Sequence, residues 1–330
     1  MTKFRAFRVE KENDTVSHSI IEQSLSDLPA GDLLIRVKYS SVNYKDALSA
    51  KGLPGVTRQY PHTPGIDAAG VVIESNQATF SKGDEVIVIG FDLGMNTPGG
   101  YGELIRVPAA WVTPLPDGMT MRESMVIGTA GFTAALCIEK LEQMGAQPED
   151  GPVVVSGASG GVGSVAVTLL AQSGYEVVAS SGKSEKEEYL KMLGAATVID
   201  RQVLAEENPR PMLATNYAHG VDTVGGATLS NIVKSLQYGG SVSICGLVAS
   251  PSFETTVLPF ILRGVNILGI DSVELPIASK NKVWDRLATD WRISLLDAMT
   301  IEVGLDGVSA AVDSIFAGQV AGRTLVVHDT

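Results

Sequence analysis

Val153-Val154-Val155-Ser156-Gly157-Ala158-Ser159-Gly160-Gly161-Val162-Gly163 is the stretch that decides the fold. Three β-branched apolar residues make a strand, and a glycine-rich turn follows. An apolar run, Val165-Ala166-Val167-Thr168-Leu169-Leu170-Ala171, then reads as a helix. Glycines alone are weak evidence, but glycines between a strand and a helix place backbone N–H groups where a pyrophosphate binds. Gly160 and Gly161 allow close backbone approach, and Gly163 allows the helix to pack tightly on the strand.

Strand and helix patterns keep alternating downstream, through Tyr175–Lys183, Glu185–Gly194, Ala196–Arg201, Val221–Gly226, Leu229–Gly240, Ser241–Leu247 and Val265–Asp271. That order predicts a parallel, doubly wound sheet. The strand after the glycines ends Ser180-Ser181-Gly182-Lys183, with no carboxylate to claim ribose hydroxyls. The next ends Ile199-Asp200-Arg201, which a parallel sheet brings to the same edge. Two charge-assisted contacts of about 1.5–3 kcal/mol each favour NADPH over NADH by roughly two to four powers of ten.

Upstream, residues 32–43, 68–75, 84–90 and 102–108 are short strands separated by turn signals, which suggests a compact antiparallel barrel. Residues 41–52 interrupt them as a short helix that Ser41 or Asn43 caps. A long apolar helix is expected over Met121–Gly145. After Asp271 come a polar helix, a short helix over Val308–Phe316 and a closing strand at Gly322–His328. The expected layout is 1–122 for the first domain, 123–274 for the nucleotide-binding domain, and 275–330 returning to the first.

Of 330 residues, 45% are apolar and 19% charged, enough for two packed cores. The formal net charge of −12 disfavours nucleic acid. The start carries no apolar leader, and no apolar run reaches the ~20 residues of a spanning helix, so no membrane role is expected. Cys137 and Cys245 have no paired spacing, which points to the reducing cytoplasm and to small buried hydrophobes. His18, His62, His219 and His328 are scattered, with no partner at zinc-ligand spacing, so no metal is expected. Lys45, Lys51, Arg58 and Arg263 are cations that a CoA tail would attract, but each reads equally as a solvated charge.

Seven segments stand in a telling order: Val42-Asn43-Tyr44-Lys45-Asp46-Ala47-Leu48, Pro64–Asp67, Ile127–Ala134, the Gly157–Ser164 turn, Asp222–Gly226, Pro259–Arg263 and Gly322–Val326. Over nearly its whole length the chain resembles the YhdH/AcuI group of acryloyl-CoA reductases, quinone-oxidoreductase-like members of the medium-chain dehydrogenase/reductase superfamily. The resemblance implies an α/β fold, a GroES-like antiparallel barrel joined to a Rossmann doubly wound parallel sheet. It implies zinc-independent, NADPH-dependent reduction of the acryloyl-CoA double bond to propanoyl-CoA. It also implies cofactor contacts at Tyr44, Ser159, Gly160, Gly161, Val162, Ser181, Gly182, Lys183, Arg201, Leu247, Ile261 and Ser272. The loop Ala205–Tyr217 is not distinctive, and Gln319 matches no family contact.

Hydride then goes to the carbon β to the thioester, and a proton to the α carbon. Tyr44 is the candidate catalytic residue, either as proton donor or as a wall and hydrogen-bond partner for the cofactor. A phenol has a reference pKa of about 10, which favours the positional role. A quinone or general enal/enone reductase is the nearest alternative, and a non-catalytic NADPH-binding redox sensor is the alternative of another class. The apolar Val265–Asp271 strand is expected at the outside of its sheet, where it invites pairing into a homodimer.

Overall fold

The computed structural model describes residues 3–13, 15–182 and 184–329, so Lys183 lies outside the described residues. The chain forms two units: 1–129, 272–292 and 296–330 make the first, and 130–271 with 293–295 the second. The first unit opens with an antiparallel hairpin of β1 (Lys3–Glu12) and β2 (Thr15–Ser24), paired along their full length. Strand β3 (Leu33–Val42) follows, then helix α1 (Tyr44–Ala50), β4 (Asp67–Ser75), β5 (Glu85–Ile89), β6 (Leu104–Val107) and β7 (Val112–Pro114). Leu33, Ile35 and Val37 of β3 pack with Ala68, Val72 and Val86 in one core. Leu34, on the other face, meets Phe4, Ala6 and Leu104 beneath the hairpin. Each such side chain contributes about 1.5–3 kcal/mol on burial, so β3 is an apolar strand used on both faces.

Helix α2 (Met121–Gln143) breaks at Gly128, whose φ of 51° and ψ of −164° are not helical. It is long and apolar enough to cross a membrane, which the sequence reading did not find, but 78% of its apolar window is buried within the protein. In the second unit come β8 (Val153–Val155), α3 (Gly161–Gln172), β9 (Val177–Ser181), α4 (Glu187–Met192) and β10 (Thr197–Asp200). Then follow α5 (Gln202–Ala205), β11 (His219–Asp222), α6 (Gly226–Ser235), β12 (Ser241–Ile244), α7 (Leu258–Arg263) and β13 (Asn266–Gly269). Among the described residues these strands form one parallel six-stranded sheet, in the order β10-β9-β8-β11-β12-β13. The order reverses beside β8, the switch point at which α/β sheets bind ligands. Val154, Ile232, Val233 and Val242 sit in the core that α6 closes.

The chain then returns to the first unit with α8 (Ile277–Ala288), β14 (Thr300–Gly304), α9 (Val308–Phe316) and β15 (Arg323–Val327). The sheet there runs β14-β15-β3-β4-β5-β7, with β6 also on β3. It is antiparallel except where β14 lies parallel to β15. Strands β12 and β13 stop at Ile244 and Gly269, so Leu247 and Ser272 lie three residues beyond the strands.

Candidate active site

Burial of β8 puts the glycine-rich turn at its carboxyl end. Gly160 caps α3 with its own carbonyl, to which Ser164 N–H donates at 2.8 Å. The N–H groups of Gly161, Val162 and Gly163, in the first helical turn, have no intrahelical acceptor, and the helix dipole makes their end positive. A Cβ on Gly163 would sit 2.3 Å from the Gly157 carbonyl oxygen, so only glycine lets α3 approach the turn this closely. Ser156 Oγ donates to Asp222 Oδ1 (2.6 Å) and accepts from Thr223 N–H (2.9 Å), while Asp222 Oδ2 accepts from Gly225 N–H (2.8 Å). This brace ties β8 to β11 and anchors the turn. The sequence reading missed it, because its partners lie 66 residues apart.

Ser159, on the turn, and Ser181, ending β9, bring their hydroxyl oxygens within 3.2 Å. Asp200 is in register with Ser181, and Arg201 N–H donates to the Ser181 carbonyl at 3.0 Å. Arg201 folds its stem across Gly182, its Cδ 2.5 Å from where a side chain there would begin. The nearby Asp200 carboxylate is turned to the Gln202 N–H at 2.8 Å. Thus Ser159, Gly160, Gly161, Val162, Ser181, Gly182 and Arg201 lie together, with hydroxyls and a cation beyond a backbone cradle. The remaining residues of the second unit, Leu247 and Ile261, are exposed apolar side chains, 61% and 68% accessible.

Tyr44 and Ser272 belong to the first unit. Tyr44 is the first residue of α1, and its half-exposed ring stacks on Phe316 of α9, with centroids 6.3 Å apart and planes at 11°. Ser272 is nearly buried. The carbonyl of its neighbour Val273 accepts from Phe91 N–H (3.0 Å) and from Lys280 Nζ (2.9 Å). Lys280 is itself buried, bonds Ile89 O and stands 3.7 Å over the Phe91 ring, which fastens the segment.

Beneath α1 lies a polar cluster that sequence reasoning did not find. Asn43 caps the helix, its N–H donating to Asp46 Oδ2 (2.9 Å) and its amide to Asp67 Oδ2 (2.8 Å). Asp67 also receives Ser41 Oγ, Thr129 N–H and Thr129 Oγ1, with Arg323 Nη2 at 4.0 Å. Burial, then the charge of Asp67, pushes the Asp46 carboxyl up to about 7, against hydrogen bonds that favour its anion. Burial lowers the Arg323 pKa against the attraction of the two aspartates.

Two of the other cations singled out in the sequence, and both thiols, have partners. Arg263 donates to the carbonyls of Lys234, Leu236 and Leu213, and Lys51 pairs with Asp313. Cys245 has its thiol pushed well up by a hydrogen bond with Cys137 and by burial, which suppresses thiolate chemistry.

Two family profiles match the chain: "Alcohol dehydrogenase GroES-like domain" over residues 29–117 and "Zinc-binding dehydrogenase" over 161–289. The putative quinone oxidoreductase YhfP of Bacillus subtilis is 44% identical over 98% of this chain and 99% of its own. Its solved structure, with NAD bound, superposes with a TM-score of 0.96 at 43% identity, covering 99% of this chain and 100% of that one. The acrylyl-CoA reductase AcuI of Ruegeria pomeroyi is 42% identical over 98% of both chains. YhdH of Escherichia coli, solved with NADPH bound, gives a TM-score of 0.95 at 42% identity over 98% of this chain and 99% of that one.

The second profile's name implies zinc, and the donors here do not fit it. Among the described residues no three His, Cys, Asp or Glu side chains group as metal ligands. His62 Nε2 is bonded to Gly94 O (2.9 Å), and the Asp67 carboxylate is filled by N–H and O–H donors beside a guanidinium. This chain belongs to the medium-chain dehydrogenase/reductase superfamily, with a GroES-like and a Rossmann-like portion, in the group that includes AcuI, YhdH and YhfP.

Proposed function

We propose that this protein is an NADPH-dependent acryloyl-CoA reductase that yields propanoyl-CoA. The observation that carries the reading is the meeting of Ser181, Gly182 and Arg201 beyond the α3 cradle, in a chain 42% identical to an acrylyl-CoA reductase. The first-turn N–H groups of α3 hold the pyrophosphate, and Ser159, Ser181, Lys183 and Arg201 grip the 2′-phosphate. NADPH, when bound, supplies the hydride. Leu247, Ile261 and Ser272 flank the nicotinamide. Tyr44, set at the start of α1 and stacked on Phe316, orients the reactants rather than serving as the acid. The alkene gains hydrogen at its β carbon, the enolate oxygen is held by a hydrogen bond, and the α carbon takes a proton.

Loss of NADPH absorbance with acryloyl-CoA, and propanoyl-CoA as the product by mass spectrometry, test the assignment. A Tyr44→Phe enzyme keeps most of its turnover if the role is positional, and loses it if Tyr44 is the acid. A quinone reductase is the second reading, which the name of YhfP favours.

We further infer a cytoplasmic homodimer. Strand β13 ends its sheet with one edge unpaired among the described strands, and Val248, Val257 and Leu262 of the second unit are exposed. An open sheet edge, together with exposed apolar side chains, fits a two-fold copy of itself. The free thiols of Cys137 and Cys245 suit a reducing compartment.

A further inference from the structure

Helix α8 buries one face, and the buried stripe runs Lys280, Val283, Trp284 and Leu287, the i, i+3, i+4 and i+7 positions of an apolar seam. At the first of them stands a cation that is 1% exposed. An apolar residue would fill that position without the cost of taking an ammonium out of water. What the ammonium bonds must offset that cost. Its Nζ donates to Ile89 O at the end of β5 (2.8 Å) and to Val273 O (2.9 Å), and it stands 3.7 Å over the Phe91 ring. Trp111 stacks on Phe91 in turn, with centroids 5.7 Å apart and planes at 8°.

The backbone around this ammonium is shaped to it. Gly90 and Phe91 both have positive φ, 75° and 52°. For an aromatic residue that conformation is rare and persists only where the surroundings enforce it. Phe91 N–H donates from it to Val273 O at 3.0 Å. A Cβ on Gly90 would lie 2.7 Å from both Lys280 Nζ and Val273 O, and 3.0 Å from Ser272 O, so glycine is what lets these groups meet. Residues 272–276 belong to no strand or helix and have no ladder of backbone bonds. The Val273 carbonyl takes two donors instead, one of them charged.

We propose that Lys280 is a positioning residue for the reduction: its ammonium fixes the backbone of Ser272 and Val273 to the end of β5, and thereby sets the nicotinamide of bound NADPH for hydride transfer. The proposal rests on the reading that Ser272 flanks the nicotinamide. Lys280 acts through the Val273 carbonyl and its neighbour, not by touching the reacting atoms. The grip on the 2′-phosphate belongs to other residues, Ser181 and Arg201 among them. The two halves of the cofactor therefore respond differently to the loss of Lys280.

The test is Lys280→Met, which keeps the bulk of the stem and removes the charge and both hydrogen bonds. Its kcat for enoyl-CoA reduction is expected to fall about 10- to 100-fold, the effect of a displaced reacting group. The Kd of 2′,5′-ADP, which carries the 2′-phosphate but no nicotinamide, holds within about twofold, as for independent sites. The emission of bound NADPH, which follows the surroundings of the reduced ring, shifts toward that of the free nucleotide. A folded Lys280→Met protein with kcat within about threefold of wild type and unchanged NADPH emission overturns the proposal. So does a loss of 2′,5′-ADP binding as large as the loss in kcat, which would make Lys280 a support of the fold at large. If Lys280→Met does not fold, Phe91→Leu decides. Without the ring beside the ammonium the same split is expected at about three- to tenfold in kcat, and an unchanged kcat and emission is the contrary result. Should the wild type reduce no enoyl-CoA or quinone, the reading of its function fails separately. NADPH emission then decides for Lys280: a shift in Lys280→Met with 2′,5′-ADP binding intact supports the role, and the same emission in both proteins overturns it.

Discussion

Thr129 gives both its backbone N–H and its hydroxyl to one carboxylate, that of Asp67, at 2.9 and 2.5 Å. It does so one residue after the break of α2 at Gly128, where a Cβ would lie 2.5 Å from Asp67 Oδ2 and 2.7 Å from Arg323 Nη2. The break in the helix is therefore filled by the carboxylate and guanidinium that also hold Asn43. Helix α1 and the Gly128 turn share one anchor.

Asp67→Asn removes the counter-charge of a guanidinium that is 2% exposed and replaces an acceptor of four hydrogen bonds with a weaker one. Breaking one partner of a buried pair costs about 3–5 kcal/mol. Urea denaturation is expected to show a loss of that size; a loss below about 1 kcal/mol would mean that the pair carries little of the fold.

Arg201→Ala is expected to raise the KM for NADPH by roughly 10- to 100-fold, the worth of one charge-assisted contact, and to leave the KM for NADH nearly unchanged. Steady-state kinetics with both nucleotides check this. Equal losses for both would assign Arg201 to the fold rather than to the 2′-phosphate.

Gly163→Ala puts a methyl group 2.3 Å from Gly157 O and 2.7 Å from Ala158 Cα. Those atoms are backbone, so α3 must move away and its first-turn N–H groups lose their aim. NADPH affinity is expected to fall at least tenfold with the protein still folded, as titration of cofactor fluorescence and circular dichroism together would report. Unchanged affinity would remove the α3 cradle from the cofactor site.

Stability should depend on pH through Asp46. Its folded pKa of about 7 lies above that of the unfolded chain, so between the two values the folded state binds the extra proton. Stability is then fully present below the unfolded value and declines as pH rises toward about 7, by a few kcal/mol in order of magnitude. Asp46→Asn removes that slope. Chemical denaturation of both proteins from about pH 5 to pH 8 measures it, and a wild-type curve that rises across this range because of Asp46 would contradict the assignment.

The glycine turn, the alternation after it and the Ser181 and Arg201 pair were legible because each is local: a strand end, a turn and a neighbouring strand end in order. The Val308–Phe316 helix was legible in the same way. The Asp46, Asp67 and Arg323 cluster was not, since Ser41 and Arg323 meet across 282 residues and no spacing rule announces them. The contact between Cys137 and Cys245 was hidden for the same reason. The apolar stretches Ser241–Leu247 and Val265–Asp271 read as strand to their ends, whereas β12 and β13 stop at Ile244 and Gly269, three residues before Leu247 and Ser272. The parallel pairing of β14 with β15 depends on how the returning segment meets β3, and thus on tertiary packing.

Substrate choice separates the acryloyl-CoA reductase from the quinone reductase. Acryloyl-CoA, crotonyl-CoA and a benzoquinone, each run with NADPH under the same conditions, test it most directly. A kcat/KM for acryloyl-CoA at least about tenfold above the others is expected. A preference for the quinone, with the cofactor contacts intact, would contradict it.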